Sequence, residues 1–353
     1  MKIVKTILVQ LFTGANIATI LLLWACCAVT YISPELHPRL SLLALTFPAF
    51  LAVNFLFIFF WLIFKVRRVW LPIVGLLACC SFIRDYLPFN LPSKASADST
   101  LTILTYNCHN FGEPDAIQED GTNPVFSYLA ESGADIICLQ EASIKQDLDD
   151  EMAKKNYQSV YRKEFALYSR LHVLSADTLA LDGEPCHALR ALIHDGTDTI
   201  MLLSVHLQSN KLSPAMKQAY REALEKHERD SVRKELTPIV QLLSAAAPLR
   251  AAQTDSLASI VEAWLPKSVI VCGDFNDTPV SYSHRVLTRK LTSAFRESGN
   301  GLGFTFHEKG FPVRIDHILF DDNTWKSSKT QVVKHITSSD HFPICTKLTR
   351  KQP

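Results

Sequence analysis

Ser268-Val269-Ile270-Val271-Cys272-Gly273-Asp274-Phe275-Asn276 joins a short apolar, β-branched run to a polar cluster. The run reads as a buried strand. Gly, Asp and Asn behind it favour a turn, and an acid and an amide at a strand end are also what a catalytic site needs. Taken singly, the segment permits both readings.

Four more strand-like runs end or begin the same way. Leu101–Tyr106 is followed by Asn107-Cys108-His109-Asn110, and Asp135–Leu139 by Gln140-Glu141. Thr199–Val205 leads into His206-Leu207, and Ile315–Phe320 carries Asp316-His317 behind Arg314. Ser339-Asp340-His341-Phe342-Pro343 stands near the C-terminus. Each has a plain reading: a cap, a hydrogen-bonded structural histidine or a surface pair. Helical patterns lie between the runs. They are Pro124 to Ser132, a charged stretch from Ser213 to Ala245 that Pro238 is expected to break or kink, and Ala251 to Trp264. Strands alternating with helices predict α/β or mixed α+β layers.

The first 91 residues are different. They hold seven basic residues (Lys2, Lys5, Arg39, Lys65, Arg67, Arg68, Arg84) and the two acids Glu35 and Asp85, leaving 29 basic against 33 acidic residues for the rest of the chain. Leu40 to Phe64 carries no charge over 25 residues, long enough to cross a bilayer. Ile7 to Ile32 is a second long apolar run. Val69 to Ile83 is shorter, rising only ~22 Å as a helix, and either spans with its flanks or lies at the interface. The expected organisation is an anchor over 1–91 with three membrane helices (about 7–32, 40–64 and 67–87), a Pro/Ser/Ala-rich linker over 92–100, and a catalytic domain over 101–353. Lys2, Lys5 and the Lys65–Arg68 loop place those ends in the cytoplasm. Three crossings then put the domain outside it, as part of a multi-pass integral membrane protein; two crossings, with the third run at the interface, would leave it cytoplasmic.

An acidic domain lacks the positive field that carries nonspecific nucleic-acid binding. Five of the nine cysteines (Cys108, Cys138, Cys186, Cys272, Cys345) lie beyond the apolar stretches and show no CxxC spacing. They read as small buried apolar residues, not a disulfide framework or a zinc site.

The ordered set of segments resembles the endonuclease/exonuclease/phosphatase superfamily over about Leu101 to Leu348, with Gly-Asp-Phe-Asn and Ser-Asp-His-Phe-Pro its most specific parts. The resemblance implies a four-layer α/β sandwich, two mixed β-sheets face to face with helices outside. It implies Mg²⁺ or Mn²⁺ held by Glu141, supported by Asn107 and bound by Asp340 directly or through water. Asp274 would orient or deprotonate the attacking water, with Asn276 positioning it. His341 would contact the scissile phosphate, Asp316 would fix the tautomer of His341, and His206 would donate to a phosphate oxygen. Arg170, in Ser169-Arg170, is a substrate-contact candidate, and so is His109, which stands where abasic-site endonuclease relatives carry a carboxylate. His206-Leu207-Gln208-Ser209 is similar to membrane-associated bacterial members more than to nucleases. The leading expectation is therefore a membrane-held, metal-dependent hydrolase of phosphate mono- or diesters, acting on a lipid headgroup or a small phosphorylated metabolite. A nuclease and an inactive membrane-tethered scaffold are the alternatives.

Overall fold

The computed structural model describes residues 2–91, 100–112, 123–181, 184–226, 229–308 and 311–351. The 92–99 stretch of the expected linker and the side chain of Cys186 lie outside the described residues.

Helix α1 (Lys2–Ala28) is followed by a short α2 (Pro38–Ser41), α3 (Phe47–Phe64), α4 (Trp70–Ala78) and α5 (Cys80–Tyr86). By length and composition Thr6–Tyr31 and Pro38–Phe64 can each cross a membrane. The pair Val66–Ala78 and Cys80–Tyr86 is bent by 68° and makes a third crossing only if counted as one broken span. The polar residues inside these helices satisfy one another, as apolar surroundings demand. The Asn16 amide donates to Asn54 Oδ1 (3.2 Å), and Trp61 Nε1 donates to Asn16 Oδ1 (3.0 Å). Arg68 donates to Thr13, while Cys26 donates to Leu43 O at 3.2 Å, so α1 and α3 run antiparallel.

The remainder folds in the order β1 (Thr100–Asn107), α6 (Pro124–Glu131), β2 (Ile136–Gln140), α7 (Gln146–Lys154), β3 (Gln158–Arg162), β4 (Phe165–Ser169), β5 (His172–Leu181), β6 (Glu184–His194) and β7 (Thr199–His206). It continues through α8 (Pro214–Glu225), α9 (Arg229–Trp264), β8 (Val269–Asp274), α10 (Tyr282–Leu287), β9 (Thr292–Ser293), α11 (Ala294–Ser298), β10 (Asp316–Phe320), β11 (Trp325–Val332) and β12 (Ile344–Arg350). Two six-stranded sheets result, ordered β11-β12-β1-β2-β4-β3 and β5-β6-β7-β8-β10-β9. Each is mixed, with one parallel pair near its middle, β1 with β2 and β7 with β8.

Side-chain alternation explains the layering. In β1, Leu101 and Ile103 face the other sheet, while Leu104 and Tyr106 pack outward beneath α6 and α7. In β8, Ile270 and Cys272 face inward, while Val269 and Val271 pack under α9. Strands buried on both faces need predominantly apolar runs, which is what the sequence shows. Cys108, Cys138 and Cys272 are free and buried.

Pro238 does not interrupt its helix. The break comes earlier, between α8 and α9, and α9 runs 36 residues through Pro238 and Pro248, absorbing the separate helix expected over Ala251–Trp264. Thr237 Oγ1 donates to Arg233 O and Ser244 Oγ to Val240 O, so neighbouring hydroxyls bond carbonyls in the turns around each proline. The buried Leu257 and Val261 hold the helix to the second sheet.

The helical region is docked on the domain at one end. Arg296 donates to Asp85 (2.5 Å). Buried Arg314 donates to the carbonyls of Asp85, Tyr86 and Leu302, and its guanidinium lies 4.1 Å over the Phe295 ring. Arg285 sits 3.3 Å over the ring of Tyr31, and Val280 of the domain packs into the apolar cluster of the helices.

Gly273 marks where the fold tolerates no side chain. Its φ is +132°, and a Cβ there would lie 2.1 Å from Val205 O on the neighbouring strand. Gly273→Ala is expected to destabilise the protein by about 2–4 kcal/mol. Thermal unfolding of the full chain in detergent checks this, and an unchanged midpoint would contradict it.

Candidate active site

The C-terminal ends of the two parallel pairs lie on the same side of the sandwich. They deliver Asn107 and Glu141 from one sheet and His206 and Asp274 from the other. Antiparallel β10 starts where β8 ends, so Asp316 pairs in register with Asp274. The Ser339–Pro343 loop is held by Ser339 Oγ donating to Asn107 O (2.9 Å), and by Phe342 N donating to Thr305 O (2.6 Å).

Asp274 is at the centre. Its carboxylate accepts from Asn107 Nδ2 (3.2 Å), Asn276 N (2.7 Å) and Asn276 Nδ2 (3.3 Å). His341 Nε2 lies 3.7 Å and His206 Nε2 3.9 Å from the same Oδ2. His341 Nδ1 is 2.8 Å from Asp316 Oδ2, which fixes a proton on Nδ1 and aims Nε2 at Asp274. His206 Nδ1 is 3.3 Å from Glu164, and its Nε2 is 3.6 Å from Glu141. Asn107 Nδ2 also donates to Glu141 Oε1 at 3.0 Å.

Electrostatics follow from this crowding. Burial alone would push His341 down, but Asp316 and Asp274 outweigh it and hold the ring up at about 10. His206 behaves alike: Glu164, Asp274 and Glu141 overcome burial and raise it to about 9. Asp274 is pushed up by burial and by Asp316, against the opposing pull of His341 and His206.

Four carboxylates converge here, and buried Asp316 Oδ1 has no hydrogen-bond partner. The excess of oxygen donors fits a hard divalent cation. Asp274, Asp316 and His341 offer ligand atoms within 4.8 Å of one another. The Asp316–His341 hydrogen bond, however, commits those two groups to each other. Glu141 and Asp340 are more open, at 35% and 36% side-chain exposure, and line the same cavity as Asn107. They suit a cation that keeps some of its water.

His109 also lines the cavity, 3.3 Å from Glu141. Arg170 does not. Strand β4 runs antiparallel to β2, placing Ser169 opposite Ile136, so Arg170 stands by Asp135 at the other end of the sheet with its guanidinium over the Tyr157 ring. The substrate-contact role expected for Arg170 is corrected accordingly. His317 turns away too, donating to Asp277 O (3.0 Å); burial and Arg314 push it down to about 4 and keep it neutral.

Three residues of the cavity region carried no sequence signal. Glu164 orients His206 from the β3–β4 turn. Lys217 of α8 sits 4.0 Å from Asp340 and 4.7 Å over the Phe306 ring. Arg250 of α9 bridges Gln208 O and Asn210 Oδ1 and faces Asp277 at 3.6 Å.

Residues 104–341 match the Endonuclease/Exonuclease/phosphatase family, and residues 9–86 match a domain of unknown function. The chain belongs to the Endonuclease/Exonuclease/phosphatase family, whose members are divalent-metal-dependent phosphoester hydrolases. No curated protein matches it. Among solved structures it is similar to the human Nocturnin catalytic domain (13% identity, TM-score 0.49, 71% of this chain and 94% of that one). It is similar to an AP endonuclease from Archaeoglobus fulgidus (15%, 0.47, 70% and 98%) and to humanized D. rerio TDP2 (15%, 0.49, 71% and 99%).

Proposed function

We propose that this protein is a membrane-anchored phosphoesterase cleaving phosphate mono- or diesters at the site around Asp274. One observation carries the reading: a buried carboxylate beside an open cavity, with two paired, charge-favouring histidines 3.7 and 3.9 Å from it and two asparagines donating to it. In-line attack on phosphorus needs those parts.

Asp274 takes a proton from the attacking water, and its raised affinity for protons suits a base. Asn276, fixed by its bond to Leu207 O (3.0 Å), holds the water in line. The water oxygen bonds to phosphorus as the bond to the leaving oxygen breaks, and that oxygen leaves with a proton from solvent. His206 and His341 donate to the non-bridging oxygens as charge builds there, and Asp316 keeps His341 oriented. Glu141, Asp340 and Asn107 would hold Mg²⁺ or Mn²⁺, which supplies positive charge against the phosphate oxygens.

The anchor is read as integral to the membrane, with three crossings. The antiparallel pairing of α1 with α3 supports this, because it sets the Lys65–Arg68 turn beside the N-terminal half of α1 and the domain at the opposite end. By the positive-inside tendency the domain is then extracytoplasmic.

The test is hydrolysis by the full chain in detergent with Mg²⁺ or Mn²⁺, using bis-p-nitrophenyl phosphate, p-nitrophenyl phosphate and DNA and RNA oligonucleotides. Metal-dependent release of p-nitrophenol supports the reading. Turnover confined to oligonucleotides would make it a nuclease. A folded, inert protein would leave only a scaffold.

A further inference from the structure

The cavity that holds Asp274 and His341 does not end within the catalytic domain. It has a volume of about 650 Å³, and its wall continues over Leu42, Leu45 and Pro48 at the domain-facing end of the second candidate span. On the facing side Leu236, Ile239 and Leu243 of α9 complete an apolar sleeve. One end of the cavity is thus carboxylate, imidazole and amide, and the other is aliphatic. Leu45 remains 39% exposed and Leu236 40% exposed, so no protein group covers them fully.

We infer that the substrate is a membrane lipid carrying a phosphate ester, drawn into the site headgroup first with its hydrocarbon chain lying between Leu45 and Leu236. This rests on the phosphoesterase reading above and names its substrate class. Three features single out this occupant. A wholly polar metabolite would leave the aliphatic end facing water or would desolvate polar groups against leucine, and both cost free energy. A lipid matches both ends. The apolar wall is itself part of a candidate membrane span, so a chain leaving the sleeve beside Pro48 enters the bilayer without crossing water. The opening is fixed in place, because the Asp85–Arg296 and Arg314 contacts seat the helix ends on the domain. A cavity of this size takes a phosphate group and the first part of a chain, with the remainder in the membrane.

The experiment uses the full chain reconstituted in phosphatidylcholine nanodiscs with Mn²⁺. Two substrates share the same reacting atoms and leaving group, ethyl p-nitrophenyl phosphate and hexadecyl p-nitrophenyl phosphate. The expected kcat/KM ratio of long to short ester is about 100-fold or more, since each methylene moved out of water is worth roughly fourfold. Partitioning into the disc also raises that ratio, so the decisive reading is its change in variants. Leu45→Glu and Leu236→Glu are each expected to lower the ratio at least tenfold, while Leu45→Met keeps it. A ratio near one, or one that both Glu variants leave intact, would overturn the lipid proposal with the phosphoesterase reading still standing. Failure to cleave either ester, by a protein that also leaves the monoester p-nitrophenyl phosphate intact, would overturn both.

Discussion

Asp274→Asn is expected to lower kcat/KM by about three orders of magnitude, nearly all of it in kcat. The substitution keeps shape and volume but replaces a proton acceptor with an amide. It also places an NH₂ where Asn107 and Asn276 now donate, so donors face donors at a site only 1% exposed. Part of the charge that favours the protonated forms of His206 and His341 disappears with the carboxylate, leaving Glu164 and Glu141 beside one ring and Asp316 beside the other. Both histidines then offer weaker donors to the phosphate oxygens, which is why the loss exceeds that of a single hydrogen bond. Initial rates on a p-nitrophenyl phosphodiester with saturating Mn²⁺ give the number, and thermal unfolding shows that the fold survives. A variant within tenfold of the parent would mean that the water is activated elsewhere.

The reach of the sequence can be followed through particular elements. β1, β2, β7, β8 and β10 were legible because each is largely buried on both faces and so is rich in large apolar or β-branched residues. β3 and β5 were not, because they lie at sheet edges with mostly exposed side chains and carry no such run. The length of α9 was hidden by Pro238, since a local rule about proline cannot weigh the packing that holds the helix against the second sheet.

The site divides the same way. Asn107, Glu141, His206 and Asp274 were legible because each follows a recognisable strand, and parallel strands bring such ends together. Strand direction is what one sequence segment does not carry, and it is why Arg170, also at a strand end, falls on the wrong side. Glu164 sits in an ordinary turn and gains its meaning only from His206, 42 positions away. Lys217 lay in the charged stretch from Ser213 to Ala245, where nothing marks one lysine among many, yet its side chain is nearly buried over Phe306. Chemistry assembled from one strand end is readable in sequence; chemistry assembled across elements is not.

Glu141→Ala is expected to abolish divalent-cation binding while costing the metal-free protein only modest stability. Two features of Glu141 mark it as the principal ligand. Its carboxylate is partly open to the cavity, where Asn107 Nδ2 donates to it at 3.0 Å and His206 Nε2 lies 3.6 Å away; truncation deletes both contacts and costs the metal-free protein about 0.5–1.5 kcal/mol. Its backbone, at φ +52°, holds a non-glycine residue in the left-handed region, locked there by Asn110 N donating to Glu141 O (2.8 Å). Strain of this kind costs of order 1–3 kcal/mol and is retained at sites where a side chain must be aimed. The two states separate cleanly in a thermal melt. A cation that binds only the folded parent at one hundred times its Kd adds about 2.7 kcal/mol, raising the midpoint measurably. The variant should show no rise with Mg²⁺ or Mn²⁺, beginning from a slightly lower midpoint in EDTA, and its turnover should fall by at least about 10³-fold. A metal-induced rise that persists in Glu141→Ala would shift the principal ligand to the Asp274–Asp316–His341 cluster. Those groups would then have to give up the hydrogen bond that now joins two of them.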